Sequence, residues 1–173
     1  MSSYHAAALR DACRLSKIKS CKVIDKMTSL RGAAARRFGR AWATLCVILA
    51  VHVADEALTS FLDFYNPLVE RLRERWSFFP LPTFEFDVWL GLLIFAVVGL
   101  LALSPLAYRG RWGLAPVAAS FSVIMILNGC GHLAASAYYG MWISGTTTAP
   151  LSLAGGIYLW LAQRPAWSVG RDR

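Results

Sequence analysis

The sequence predicts an all-α polytopic membrane protein, a bundle of four transmembrane helices with a short interfacial segment on its outer side. Of the 173 residues, 57% are hydrophobic and only 16% are charged, against about 25% in soluble domains. Four long apolar runs show no period-2 alternation, which argues against strands. Because lipid offers no water to satisfy the backbone, spanning segments of this kind must be helices.

A separate basic segment precedes the apolar runs. The formal charge is +8, and ten of the 18 Lys and Arg lie in residues 1–40. This clustering without a soluble basic fold argues against nucleic-acid binding. We predict that residues 1–40 are a surface-lying helix or a disordered tail, and a mitochondrial transit peptide is a third interpretation. Met27 is an alternative start, and we predict that residues 1–26 are dispensable for insertion because all four runs lie beyond Met27.

The predicted transmembrane domain covers residues 41–163 and is followed by a basic tail at 164–173. Each apolar run comes close to the ~20 residues that a bilayer requires. Trp42 stands at the start of the first run, where an interfacial aromatic is expected. The four runs are 41–61, 88–103 (extendable to 108), 112–138 and 146–161.

The distribution of basic residues predicts the orientation. Fifteen Lys and Arg lie in the N-terminal segment, the 109–111 turn and the C-terminal tail, against three in the 64–87 loop and none in the 139–145 loop. By the positive-inside rule both termini are cytoplasmic, and the plasma (inner) membrane is the expected location. The 64–87 loop interleaves Glu and Arg at helical spacing. It therefore predicts a short helix along the outer membrane surface, or else a solvated connector.

Three ionisable residues interrupt the first apolar run: His52, Asp55 and Glu56. An acidic residue at mid-helix costs about 2.5–3.5 kcal/mol, whereas each Leu, Ile, Val or Phe returns only about 0.3–0.6 kcal/mol. Two ionised carboxylates would therefore offset the whole apolar gain of this run. We expect these side chains to be protonated, paired, metal-bound or directed into a wet cavity, and intramembrane ionisable residues usually have a function.

The polar residues of the first run lie on one helix face, and the third run has a matching polar face. His52 and Glu56 are spaced i, i+4, and so are Asn128 and His132, which stacks each pair on its helix. Counting along the two parallel helices at about 1.5 Å per residue places both pairs in the outer half of the bilayer. We predict that the four side chains converge in one cavity, with Asp55 at its edge and Thr148 near its mouth.

Two short motifs formed by these residues are similar to those of a known family. The motif His52-Val-Ala-Asp55-Glu56 in a first span, followed by Asn128-Gly-Cys-Gly-His132 in a later one, resembles the HXXEE family of integral membrane proteins. Asp55 stands where that family has its first Glu, and Gly145-Thr-Thr-Thr-Ala149 has the glycine of the third family motif without its Asn. The resemblance covers residues 42–160. It implies an integral membrane protein with an enzymatic activity of no established reaction.

Three classes of function fit the sequence. The first is a membrane enzyme that acts on a lipid-like substrate through acid–base or metal-assisted chemistry. The second is a proton- or ion-coupled transport component, and the third is a non-catalytic membrane partner protein. In the enzyme hypothesis Thr148 binds substrate, and His52, Glu56 and His132 hold one divalent ion such as Zn, Fe or Mn. The predicted catalytic residues are His52, Asp55, Glu56, Asn128 and His132.

Overall fold

The computed structural model describes residues 2–78, 80–110 and 112–169. Within these ranges the chain is helical and contains no strand, which confirms the all-α class. A single turn of 3₁₀ helix at Trp112–Leu114 precedes the fifth helix. The α-helices are α1 (Ser2–Leu58), α2 (Phe61–Arg75), α3 (Phe86–Ala102), α4 (Ser104–Tyr108), α5 (Ala115–Tyr139) and α6 (Ala149–Val169).

In the part of the chain that the structure describes, three helical segments are long and apolar enough to cross a membrane. They are Ile24–Leu58 within α1, Phe86–Tyr108 formed by α3 and α4 together, and Ala115–Tyr139, which is α5. The protein is therefore a membrane protein. The fourth predicted segment forms α6, a helix of 21 residues.

The first helix is longer than the sequence predicts. No break separates the basic segment from the first span, because α1 runs through 57 residues from Ser2 to Leu58. The chain has no proline before Pro67, so nothing in its backbone chemistry interrupts the helix there. The composition changes at residue 40 within this helix.

The core lies in the half of the bundle away from α2, where α1 packs with α4, α5 and α6. Trp42 is at its centre with no exposed surface, and its indole N–H donates to the Leu100 carbonyl at 2.9 Å. Its prediction as an interfacial aromatic is therefore wrong, because the ring ties α1 to α3 inside the protein. The other buried core residues are Phe38, Ala41, Leu45, Cys46, Ala107, Ala118, Phe121, Met125, Leu159 and Ala162.

Glycines bring α6 close to both of its neighbours. A Cβ on Gly156 would lie 2.9 Å from the Ser122 carbonyl oxygen of α5, and one on Gly155 would lie 2.6 Å from the Ile48 side chain of α1. A Cβ on Gly129 would lie 2.7 Å from the Ala149 carbonyl oxygen. Small residues of this kind let membrane helices pack backbone to backbone. This packing fixes the start of α6 beside α1 and α5.

The amphipathic helix α2 covers the C-terminal end of α1. The chain turns at Ser60, whose φ of 55° is left-handed, and α2 then begins with Asp63 in its first turn and ends with Arg73 and Arg75. These charges complement the helix dipole. Asn66 fastens α2 to the following segment through two hydrogen bonds with the Phe84 backbone, at 2.9 and 3.0 Å.

Tyr65 provides a second attachment of α2. Its hydroxyl donates to the Pro82 carbonyl at 3.1 Å. Burial raises the pKa of this phenol above its ordinary value, although the positive charge of Arg73 opposes the shift. The hydroxyl therefore stays protonated at neutral pH and remains a donor. These contacts hold the first turns of α2 over the end of α1.

Candidate active site

A buried polar cluster lies near the end of α1, two residues before the helix terminates at Leu58. His52 and Glu56 of α1 meet His132 of α5, and all three side chains are buried. Glu56 Oε1 lies 2.9 Å from His132 Nε2 and 3.4 Å from His52 Nε2. The two imidazoles are close to perpendicular, with ring centroids 5.0 Å apart. The carboxylate is therefore positioned between the two histidines.

Thr148 and Asp55 orient the His52 ring from behind. His52 Nδ1 lies 2.6 Å from the Thr148 hydroxyl, and that hydroxyl donates to Asp55 Oδ2 at 2.8 Å. The Thr148 backbone N–H also donates to Asp55 Oδ2, at 3.3 Å. Because the Thr148 hydroxyl donates its hydrogen to Asp55, the Thr148 oxygen accepts a hydrogen bond from the Nδ1–H of His52. This places the His52 proton on Nδ1 and leaves a lone pair on Nε2.

Asn128 completes the contacts of His52 from α5. Its side-chain nitrogen lies 2.6 Å from His52 Nε2, so the amide donates to the lone pair that the Nδ1–H tautomer provides. Asn128 is half-buried. The amide stands one helical turn before His132 on the same face of α5. It therefore reaches the shared space between the two histidines.

Gly145 supports the His132 ring from the loop between α5 and α6. The residue has a left-handed φ of 81°, and a Cβ placed on it would lie 2.6 Å from His132 Cε1. Only glycine satisfies both conditions without strain. The loop is fastened to α1 by Ser144, whose hydroxyl lies 2.6 Å from the Thr59 hydroxyl and donates to the Glu56 carbonyl at 3.3 Å. The backbone of this loop thus fixes the position of His132.

An apolar cavity of about 430 Å³ adjoins the cluster, within the ~300–1,000 Å³ range of small-molecule sites. His52, Glu56 and Asn128 supply its polar wall. Leu92 of α3 and Ile124 of α5 line it but are 56% and 61% exposed, so the cavity opens at the surface between these two helices. Its remaining lining is aromatic toward α2 and aliphatic away from it: Phe61, Tyr65, Phe84, Trp89, Leu49, Val53, Leu93 and Met125.

The side chains of His52, Glu56 and His132 have the arrangement of a metal-binding set. Their ligand atoms all lie within 4.8 Å of one another, and all three residues are buried. Two histidines and one glutamate form a known catalytic zinc set that leaves a coordination position open. A metal-bound histidine usually donates its other ring N–H to a neighbouring acceptor. His52 Nδ1 does so to the Thr148 hydroxyl, which in turn donates to Asp55.

The structure brings together the residues that the sequence pairs. The side chains of His52, Glu56, Asn128 and His132 lie close together. The predicted single cavity is not reproduced, because His132 lines a separate pocket of about 250 Å³. Asp55 is half-buried. Thr148 has a different position from the predicted one. It lies behind His52, bonded to Nδ1, and does not belong to the lining of the 430 Å³ cavity. Its contacts are those of a positioning residue.

The sequence did not predict the aromatic residues that cover the site. The Phe61 ring lies 5.5 Å from the His132 ring and 5.9 Å from the Trp89 ring, measured between centroids. Tyr65 stacks on Phe61 at 5.4 Å. The only available indication was the density of aromatics in the segment after the first span. These aromatic residues come together because the chain reverses at Ser60. The residue types around Ser60 do not predict this turn.

Comparison of the chain with protein families, with curated proteins and with solved structures found no match.

Replacing Thr148 by Val should lower the affinity of the cluster for a divalent ion by 10- to 100-fold, the usual effect of losing an outer contact of a metal ligand. Valine keeps the shape of threonine but can neither accept the Nδ1 proton nor donate to Asp55. Titration of the metal-free protein with Zn²⁺ measures the change. Thr148→Ser should restore most of the affinity, and Thr147→Val, at the exposed neighbouring position, should have no effect. Equal losses in both valine variants would contradict the assigned role.

Proposed function

We propose that the protein is an integral membrane enzyme that acts on a lipid-like substrate and holds one divalent metal ion at His52, Glu56 and His132. The observation that carries the proposal is the buried set of two histidines and a glutamate, of which His52 and Glu56 line an apolar cavity. A metal ion in such a set supplies a Lewis acid and an activated water. Zn, Fe and Mn are the candidate ions.

The chain's own residues have separate roles in this proposal. His52 and His132 present their Nε2 atoms and Glu56 its Oε1. Asp55 and Thr148 keep the His52 proton on Nδ1, so that Nε2 stays available. Asn128 is the neutral donor of the cavity wall and polarises an oxygen of the substrate. It must then leave His52 Nε2, which its amide contacts at 2.6 Å.

A metal-free variant of the same proposal has its own support. The 2.9 Å distance between Glu56 Oε1 and His132 Nε2 is that of a direct hydrogen bond. In this variant Glu56 is the general base or acid, and His52 and His132 exchange protons with it. Both variants use the same residues on the same substrate. The metal content of the purified protein distinguishes them.

The shape of the cavity supports an amphiphilic substrate. The polar cluster lies near the end of α1, and the aliphatic lining extends from it to Leu49 of α1, Leu93 of α3 and Met125 of α5. A lipid that enters between Leu92 and Ile124 would lay its chain along this lining. Its reacting bond would then lie at the junction of chain and head group, under the aromatic cover formed by α2.

The packing of the bundle favours an enzyme over a transporter. A proton or ion pathway would need polar groups from the cluster to the inner end of the bundle. Along α1 and α5, the level below the cluster is instead occupied by the buried apolar side chains of Leu45, Phe121 and Met125, with Trp42 beneath them. The cluster is therefore accessible from its outer end and from the side.

The proposed topology has four spans, with α6 as the fourth and both termini in the cytoplasm of a plasma (inner) membrane. Three spans are supported by length and composition. The packing of α6 between α1 and α5, through Gly129, Gly155 and Gly156, supports its crossing beside them. The helix α2 would lie along the outer surface, with its charged residues toward water.

Reporter fusions after residue 80 and after Arg173 should report opposite sides of the membrane. Four spans return the C-terminus to the cytoplasm, whereas three would leave it on the outer side with the residue-80 loop. A reporter active only on one side, such as a periplasmic phosphatase paired with a cytoplasmic fluorescent protein, gives the measurement. Same-side results would contradict the four-span topology.

The enzymatic proposal is tested on the lipids of the membrane. We expect cells that produce the wild-type chain to differ from cells that produce Glu56→Gln in the amount of one lipid class, by several-fold. Mass spectrometry of total lipid extracts measures this, with equal amounts of inserted protein verified first. Identical extracts would contradict the enzyme and favour a transport component or a partner protein.

A further inference from the structure

A second groove lies toward the opposite end of the bundle from the buried polar cluster of His52, Glu56 and His132. It has a volume of about 500 Å³ and is formed by α1, α4 and α6. Its polar groups are Arg40 and Thr44 of α1, Tyr108 of α4 and Tyr158 of α6, and Val47 and Ile48 continue it as an apolar wall. The groove therefore has a cationic, hydroxyl-bearing part and an apolar part.

The polar part of the groove is held by close packing. A Cβ on Gly39 would lie 2.6 Å from the Tyr108 ring and 2.8 Å from its Cα, so the absence of a side chain lets α4 rest directly on α1. This contact places the Tyr108 ring beside Arg40, the next residue of α1. Tyr158 closes the groove from α6 and is 38% exposed. Two phenols and a guanidinium thus border one space.

Carboxylates are scarce in the sequence around the arginines at this end of the bundle. Four arginines, Arg31, Arg36, Arg37 and Arg40, stand at the start of the first span, and no Asp or Glu occurs between Asp25 and Asp55. From Val88 to the C-terminus the only acidic residue is Asp172. Seven of the ten acidic residues lie in residues 55–87, at the other end of the bundle. An anion from outside the chain would therefore complement this basic end of the bundle.

We propose that this groove binds one anionic phospholipid, with its phosphate at Arg40, Tyr108 and Tyr158 and one acyl chain along Val47 and Ile48. Arginine with neighbouring hydroxyls is suited to phosphate. Basic pockets between helices on the cytoplasmic side bind anionic head groups, and arginine clusters beside a span favour anionic lipids. This proposal is independent of the proposed enzymatic function, because the groove contains none of the residues of the buried polar cluster.

The test compares lipid retention by native mass spectrometry of the full chain. Protein is exchanged into phosphatidylglycerol or phosphatidylcholine with the same acyl chains. We expect one retained phosphatidylglycerol per wild-type chain and little phosphatidylcholine. Arg40→Gln should lower the affinity by about fivefold, the effect of one lost basic contact at a membrane surface. Tyr158→Phe should lower it less, because one neutral hydrogen bond is removed.

The control is Arg71→Gln on α2, which also removes one positive charge but lies far from the groove in sequence and at the other end of α1. It should leave retention unchanged. Equal retention of the two lipids, or equal losses in Arg40→Gln and Arg71→Gln, would overturn the proposal. Binding of glycerol phosphate as tight as that of the whole lipid would also overturn it, because the site would then belong to a soluble anion.

Discussion

Glu56→Gln should reduce bound divalent metal from about one ion per chain to less than a tenth of that. The substitution keeps the shape of the side chain but removes the only negative charge among the three ligand residues, and an amide is a poor ligand for the metals that two histidines and a carboxylate select. Elemental analysis of protein purified in detergent without chelator gives the stoichiometry. The same variant should lose the lipid change that the wild-type chain produces.

The folded state of Glu56→Gln should survive this loss. Glutamine keeps an oxygen that can accept from His132 Nε2 and removes a buried charge, whose desolvation is costly. The metal-free variant should therefore unfold at a temperature equal to or above that of the metal-free wild-type chain. His5→Ala is the matched control, since it removes the one histidine outside the cluster. It should retain the ion. If the wild-type protein contains no metal, only the metal-free form of the proposed mechanism is supported. If Glu56→Gln keeps its full metal content, Glu56 is not a ligand and the proposed ligand set is wrong.

Gly145→Ala should lower metal affinity by at least tenfold and also destabilise the protein. The added Cβ would lie 2.6 Å from His132 Cε1 and 2.8 Å from Nδ1, so the ring must move away from Glu56. In addition, the left-handed backbone costs an alanine about 1–2 kcal/mol. Zn²⁺ titration and thermal unfolding in detergent measure the two effects separately.

Gly140→Ala separates these two causes. Gly140 also has a left-handed φ, of 63°, but a Cβ there meets nothing within 4 Å. This variant should show the backbone destabilisation and keep its metal affinity. If both alanine variants bind Zn²⁺ equally well, Gly145 does not position His132, and the support assigned to the loop is wrong.

Much of the site could be predicted from the sequence because helical periodicity is a local property. An i, i+4 spacing puts His52 above Glu56 and Asn128 above His132 whatever the rest of the chain does. The insertion cost of two acidic residues in an apolar run shows that they need partners. Counting residues from the ends of two parallel helices then brings both pairs to the same level.

Other features depended on packing between distant segments. The composition of the Trp42 region does not tell whether its ring faces lipid or protein, and only the approach of α3 and α5 buries it. The contacts of Thr148 could not be predicted for the same reason. Its hydroxyl could serve a substrate or a neighbour, and the packing of α6 against α1, through Gly155, directs it to His52 and Asp55.

By itself the sequence determined the helical membrane class and the two polar faces, because composition and period are fixed residue by residue along one helix. Only the tertiary structure decided what those faces contact. The left-handed Ser60 reverses the chain so that α2 covers the cluster, and the left-handed Gly145 brings a loop backbone against His132. The hydrogen bonds of His52 join residues 76 and 96 positions apart, in the pairs His52–Asn128 and His52–Thr148. No local pattern encodes their distance.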